Sequence, residues 1–184
     1  MRKHYVLHAM TAVGCVACAI LLCAAQTSFF PHYLNDAILV PDLLLCMCVG
    51  IGVFAGRYAH IYGTLFGIFA GILADGTAGC GIFLLPLLYV LCAYGAYVCA
   101  DLFQKRKFTV YLASGAVASV LRVIVAIIYV LLSGGSVPIP DVVRYVCIPL
   151  FFGTSIALLP LFPASWILTL PVRKIKHQNI DKFT

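Results

Sequence analysis

Long apolar runs with almost no charge recur along this chain, and they fix its solvent before any motif is considered. About 20 apolar residues suffice to cross a ~30 Å hydrocarbon core, where backbone polar groups must be satisfied within the segment, as a helix does. Of 184 residues, 64% are hydrophobic and 10% charged, and glutamate is absent; a soluble domain carries roughly a quarter charged residues. The pattern predicts a single all-α integral membrane domain over 1–184, a compact bundle of six transmembrane helices. The spans fall at about 5–25, 37–56, 60–75, 81–100, 108–132 and 142–170, with a short basic tail at 171–184.

The opening "MRKHYVLHAMTAVGCVACAILLCAAQTSFF" has the basic start of a signal peptide. Its apolar stretch is long enough to span, and it is read as a retained first helix. Pro41 fits the first turn of the second span, and "GTAGCG" and "SGGSVPIP" are turn signals between later spans. In the last span Pro149, Pro160 and Pro163 predict a bent helix, with Trp166 near the membrane interface.

The net charge of +6 points to orientation rather than to nucleic acid, because the basic residues sit at the ends of apolar runs. With the N-terminus in the cytoplasm, six crossings place ten of the twelve basic residues on that side: Arg2, Lys3, Arg57, Lys105, Arg106, Lys107, Arg173, Lys174, Lys176 and Lys182. Arg144 falls on the opposite face and Arg122 inside the fifth span. Both termini are thus predicted to be cytoplasmic. The clusters Lys105–Lys107 and Arg173, Lys174, Lys176 would meet anionic headgroups or a cytoplasmic partner.

Within "GTLFGIFAGILAD", Gly63, Gly67, Gly71 and Asp75 stand four residues apart on one helical side. Lipid provides no hydrophobic force between helices, so missing side chains matter because they let backbones approach. The third span is therefore predicted to be the central helix, its glycine face contacted by another helix of the bundle or by a partner's. Asp75 and Asp42 lie toward the outer ends of their spans. Arg122 lies ten residues before the end of the fifth, about 15 Å in at 1.5 Å per residue. A charge at that depth is costly when unpaired. Pairing with Asp75 or Asp42 is one expectation, and snorkelling to a headgroup is the other. Gly115, Ser119 and Ala126 share its helical side and leave room for the guanidinium.

No catalytic constellation is present, and neither cofactor nor metal is implied. "GIGVFAG" at 50–56 follows no strand and cannot serve as a nucleotide loop. Eight of the nine cysteines fall inside predicted spans, where "CVAC" at 15–18 reads as small packing residues.

Residues 41 to 103 resemble the core of the MreD family of rod shape-determining membrane proteins. The matching positions are Pro41 and Asp42 opening a leucine-rich span, Arg57 in a short basic turn, Gly63, Gly67 and Gly71, Asp75 at the helix end, and Gly79 and Gly81 in the following turn. The resemblance implies a non-enzymatic scaffold of the cell-elongation complex in the bacterial inner membrane. Its partners would be an MreC-like bitopic protein, the peptidoglycan synthase formed by RodA with a class B penicillin-binding protein, MreB indirectly, and membrane lipids. That family in turn resembles the substrate-binding membrane subunits of ECF-type importers. The alternative function is therefore a small-molecule importer subunit with Asp42, Asp75 and Arg122 lining an outward-open cavity. Sidedness is checked by thiol labelling of single cysteines introduced at 76 and 106: position 106 should react only from the cytosol and position 76 only from the opposite face.

Overall fold

Apolar runs become helices because only intrasegment hydrogen bonding satisfies their backbone in lipid. The computed structural model describes residues 2–29, 41–78, 84–103, 106–132 and 139–172. They form α1 (Arg2–Ala24) with a π-helical turn at Ala25–Phe29, α2 (Leu43–Phe54), α3 (Ala59–Ala78), α4 (Leu84–Leu102), α5 (Lys107–Leu132) and α6 (Ile148–Leu168). A short turn, Ile139–Val142, and π-helical Val143–Cys147 lead into α6.

Among the described residues, five segments are long and apolar enough to cross a bilayer: Tyr5–Ser28, Ala59–Thr77, Leu84–Leu102, Lys107–Leu132 and Pro140–Leu168. This is the architecture of a multi-pass membrane protein. Large apolar side chains such as Leu21, Leu65, Leu91, Leu131 and Leu159 are turned outward, as a lipid solvent permits.

The second predicted span behaves differently. As described, α2 has 12 residues, about 18 Å at 1.5 Å per residue, and does not cross a ~30 Å core alone. Residues 37–40 of the expected span lie outside the described residues. The helix starts at Leu43 because Asp42 is its N-cap, so Pro41 stands outside the cap and not in the first turn. It stops where Gly56 takes φ 61°, a left-handed conformation that glycine adopts without the penalty of a β-carbon.

Every residue of α2 is buried. A segment apolar around its whole circumference has no face to show to a second solvent and goes to the middle. The central helix is therefore α2, and the expectation that the glycine-striped third span is central is corrected. α3 is two-faced instead: Tyr62, Phe66, Ala70 and Ala74 are buried, whereas Ile61, Leu65, Ile68 and Ile72 are exposed.

The glycine face of α3 is filled by α4 of the same chain. A β-carbon at Gly63 would lie 3.2 Å from Ala93 Cβ, one at Gly67 3.0 Å from Val90 N, and one at Gly71 would run into the backbone of Pro86. The stripe is thus an internal seam. Two glycines from the rejected nucleotide loop act likewise: Gly52 lies against the Ala93 carbonyl and Gly50 against Ser165. They let α2 wedge between α4 and α6.

Pro149, Pro160 and Pro163 all fall within α6. Pro149 stands in the first turn of α6, directly after the π-helical stretch that leads into it. The helix continues through Pro160 and Pro163. The irregular part is the π-helical stretch Val143–Cys147 ahead of it.

Filling the seams is predicted to lower stability. Gly52→Leu and Gly71→Leu should each cost about 1–3 kcal/mol or more of unfolding free energy in micelles. Gly76→Leu, whose β-carbon meets nothing within 4 Å, should leave the unfolding midpoint unchanged.

Candidate functional site

The polar chemistry of the bundle gathers at the N-terminus of α2. A helix start leaves backbone N–H groups unpaired and carries partial positive charge, so an aspartate there accepts a hydrogen bond and meets a favourable field. Asp42 does this inside the bundle: its Oδ1 accepts from the Leu45 N–H at 3.0 Å, with the residue fully buried. The neighbouring Leu43 N–H donates to Gln26 Oε1 at 3.2 Å, from the turn after α1.

Three further helices reach the same point. The Tyr89 hydroxyl on α4 lies 2.7 Å from each carboxylate oxygen of Asp42. Arg122 on α5 donates from Nε to Oδ2 at 2.7 Å. From α6, the Thr154 hydroxyl accepts the Asp42 N–H at 3.1 Å, while the Thr154 carbonyl accepts the Cys46 thiol at 3.3 Å. A carboxylate removed from water survives in low dielectric only when paired and hydrogen-bonded. Here the donors come from the cap, a tyrosine and an arginine.

Of the two expected partners, Arg122 reaches Asp42. Asp75 is held separately: the Tyr129 hydroxyl donates to its Oδ1 at 2.6 Å, with Asp75 only 3% exposed. Arg122 and Tyr129 are seven residues apart, which is about two turns on one face of α5. The helix thus presents two rungs, an upper Tyr129–Asp75 contact to α3 and a lower Arg122–Asp42 contact to α2. Ser119 and Ala126 are buried on that stripe, the Ser119 hydroxyl donates to the Gly115 carbonyl at 2.9 Å, and Gly115 packs against Leu158.

The predicted residues therefore fall into three groups. Asp42 and Arg122 meet directly; Asp75 sits on the second rung; Gly63, Gly67 and Gly71 form the α3–α4 seam beneath it. Among the basic residues, Arg106 is exposed in the turn between α4 and α5, and Lys107 opens α5. Lys105, Arg173, Lys174 and Lys176 lie outside the described residues, as do Gly79 and Gly81 of the expected turn.

Sequence reasoning missed Tyr89, Tyr129, Thr154 and Gln26. A signal existed, since a tyrosine or threonine inside an apolar span has a hydroxyl that seeks a partner, yet neither pattern nor spacing says which. It also missed the contact joining α1 to α3, where His8 Nδ1 and the Tyr62 hydroxyl lie 2.6 Å apart. Among the described residues no group of three or more His, Cys, Asp or Glu is arranged to hold a metal ion, and the eight described cysteines are free.

Comparison with known proteins adds no relative: no family model matches the chain, and neither curated proteins nor solved structures give a match.

The Asp42–Arg122 contact is testable by a double-mutant cycle. Asp42→Asn keeps the capping oxygen but removes the charge, and Arg122→Gln strands the carboxylate. Each alone should cost about 3–5 kcal/mol. Together they should cost at least 1 kcal/mol less than the sum of the singles, as in coupled pairs generally, read from reversible unfolding in mixed micelles. Strict additivity would argue against the pair.

Proposed function

We propose that this chain is a non-enzymatic scaffold of the bacterial cell-elongation machinery, of the MreD type. It resides in the inner membrane with both termini cytoplasmic. In that role it links an MreC-like bitopic protein, and through it MreB, to the peptidoglycan synthase formed by RodA and a class B penicillin-binding protein.

The observation that carries this reading is where the resembling positions fall. Pro41 and Asp42 lie at the capped start of the central helix, Gly63, Gly67 and Gly71 form the α3–α4 seam, and Asp75 is the second rung on α5. Asp42, Gly63, Gly67, Gly71 and Asp75, five of the positions that carry the resemblance, thus make contacts between helices of the bundle. A chain that spends its buried charges on internal locks and turns apolar helix faces outward acts on other membrane proteins through those faces and its short basic loops. Because α4 already fills the glycine face of α3, a partner's helix docks on an outer face.

The importer reading draws less support. A substrate-binding subunit would need Asp42, Asp75 and Arg122 to line an open polar cavity. Here Asp42 and Asp75 are buried and bonded within the bundle.

Photocrosslinking residues placed at Val13 on α1 and Leu65 on α3, both exposed, test the choice in a rod-shaped host that expresses the chain. Capture of an MreC-like bitopic protein, with rounding of the cells on depletion of the chain, is the expected result. Capture of an energising ATPase module with unchanged cell shape would replace the scaffold reading with the importer one.

A further inference from the structure

The lipid-facing side of the α4–α5 pair is not smooth. A groove of about 320 Å³ runs between the two helices, at the low end of the roughly 300–1,000 Å³ typical of ligand clefts. It exists because small residues face each other across the seam, Gly95 and Cys99 from α4 and Ala113 and Ser114 from α5. At Gly95 an added β-carbon would meet nothing within 4 Å, unlike Gly63, Gly67 and Gly71, whose missing side chains are covered by α4. Atoms lining an unfilled apolar hollow forfeit dispersion contacts, so a chain from the surrounding lipid lowers the free energy by entering it.

The length of the groove selects the occupant. Its lining on α4 runs from Leu91 to Phe103 and on α5 from Val110 to Leu121, about 18 Å of helix at 1.5 Å per residue. That is close to one leaflet, half of a ~30 Å hydrocarbon core. A partner's transmembrane helix would need a track about twice as long. An acyl chain entering from the α4–α5 turn fits the distance.

The mouth of the groove carries the charge. Arg106 is tied by its backbone to both walls: its N–H donates to the Phe103 carbonyl at 3.0 Å, and its carbonyl accepts the Val110 N–H at 3.0 Å. Its side chain is exposed. A guanidinium offers phosphate a planar, two-pronged set of donors. The nearest described carboxylate in sequence, Asp101, is two residues from the groove-lining Cys99, about 200° around the helix, and so lies on the far side of α4.

We propose that the α4–α5 groove binds one anionic phospholipid of the leaflet that holds the α4–α5 turn, with an acyl chain along Gly95 and Ser114 and its phosphate on Arg106. The site does not rest on the elongation reading, since it uses only the groove, its length and the cation at its mouth.

The test uses the full chain, purified in mild detergent and examined by native mass spectrometry with phosphatidylglycerol or phosphatidylcholine added. The wild-type protein should retain one phosphatidylglycerol in preference to phosphatidylcholine. Arg106→Gln should reduce that preference about fivefold, the equivalent of one basic contact at a membrane surface. Gly95→Leu, which fills the groove from an open position, should abolish retention of either lipid without shifting the unfolding midpoint. Independently, benzoylphenylalanine at Val117, an exposed lining residue, should give an adduct of phospholipid mass after irradiation in native membranes. Equal retention by all three proteins would overturn the proposal. So would a protein-sized adduct at position 117, whether a second copy of this chain or another membrane protein.

Discussion

Burying the carboxylate of Asp42 is the constraint around which the other helices are arranged. An ion moved from water to low dielectric costs several kcal/mol even after the surroundings relax. In this chain the cost is offset by the Leu45 N–H, the Tyr89 hydroxyl and the Arg122 guanidinium, all within 3.0 Å, and by the field at a helix start. The donors come from α2 itself, α4 and α5, while Thr154 of α6 takes the residue's own N–H. Moving α4 or α5 by one residue would take a donor from the carboxylate, and moving α6 would leave the Asp42 N–H without its acceptor. The site therefore specifies how α2, α4, α5 and α6 register against one another, which apolar packing alone does poorly.

Close backbone approach does the rest. In water a glycine-rich helix would be a liability, because glycine adds conformational entropy and buries little. In lipid, association comes from packing and polar contacts, and a missing side chain becomes a place for a neighbour. Gly50 and Gly52 admit α2 between α6 and α4, and Gly63, Gly67 and Gly71 bring α3 onto α4. An aromatic cluster near the other end of α2, with Phe162 ring centroids 5.3 Å from Phe54 and 5.0 Å from Phe108, fills the space where the helices hold larger side chains. Polar contacts thus secure one end of the short helix and aromatic packing the other.

Over the described residues this division leaves an outer surface that is apolar, with exposed charges of both signs, Asp101, Arg106, Asp141 and Arg144, near helix ends. The α4–α5 groove belongs to the same logic. There, among the described residues, no neighbouring helix covers Gly95, which is the opening the proposed lipid would fill.

Much of this was legible from the residues. The lipid solvent, the helical segments, the closeness implied by the four-residue glycine spacing and the need of Arg122 for a carboxylate all follow from local chemistry. What lay beyond reach depends on relations between segments distant in sequence. Periodicity gives a helix a face but does not say whose face it meets, so the glycine stripe reads equally as a seam or a docking groove. A segment such as "LLLCMCVGIGVF" has no polar side from which a position could be read, and its central place emerged only when five helices packed around it. The choice of Asp42 over Asp75 rests on depth: α2 starts well inside the bundle, at the level of Arg122, whereas Asp75 lies higher, at the level of Tyr129. The sequence by itself determined the solvent, the helices and which groups could not stay alone. The tertiary structure decided the pairings, because depth and register are properties of packed helices and not of any one of them.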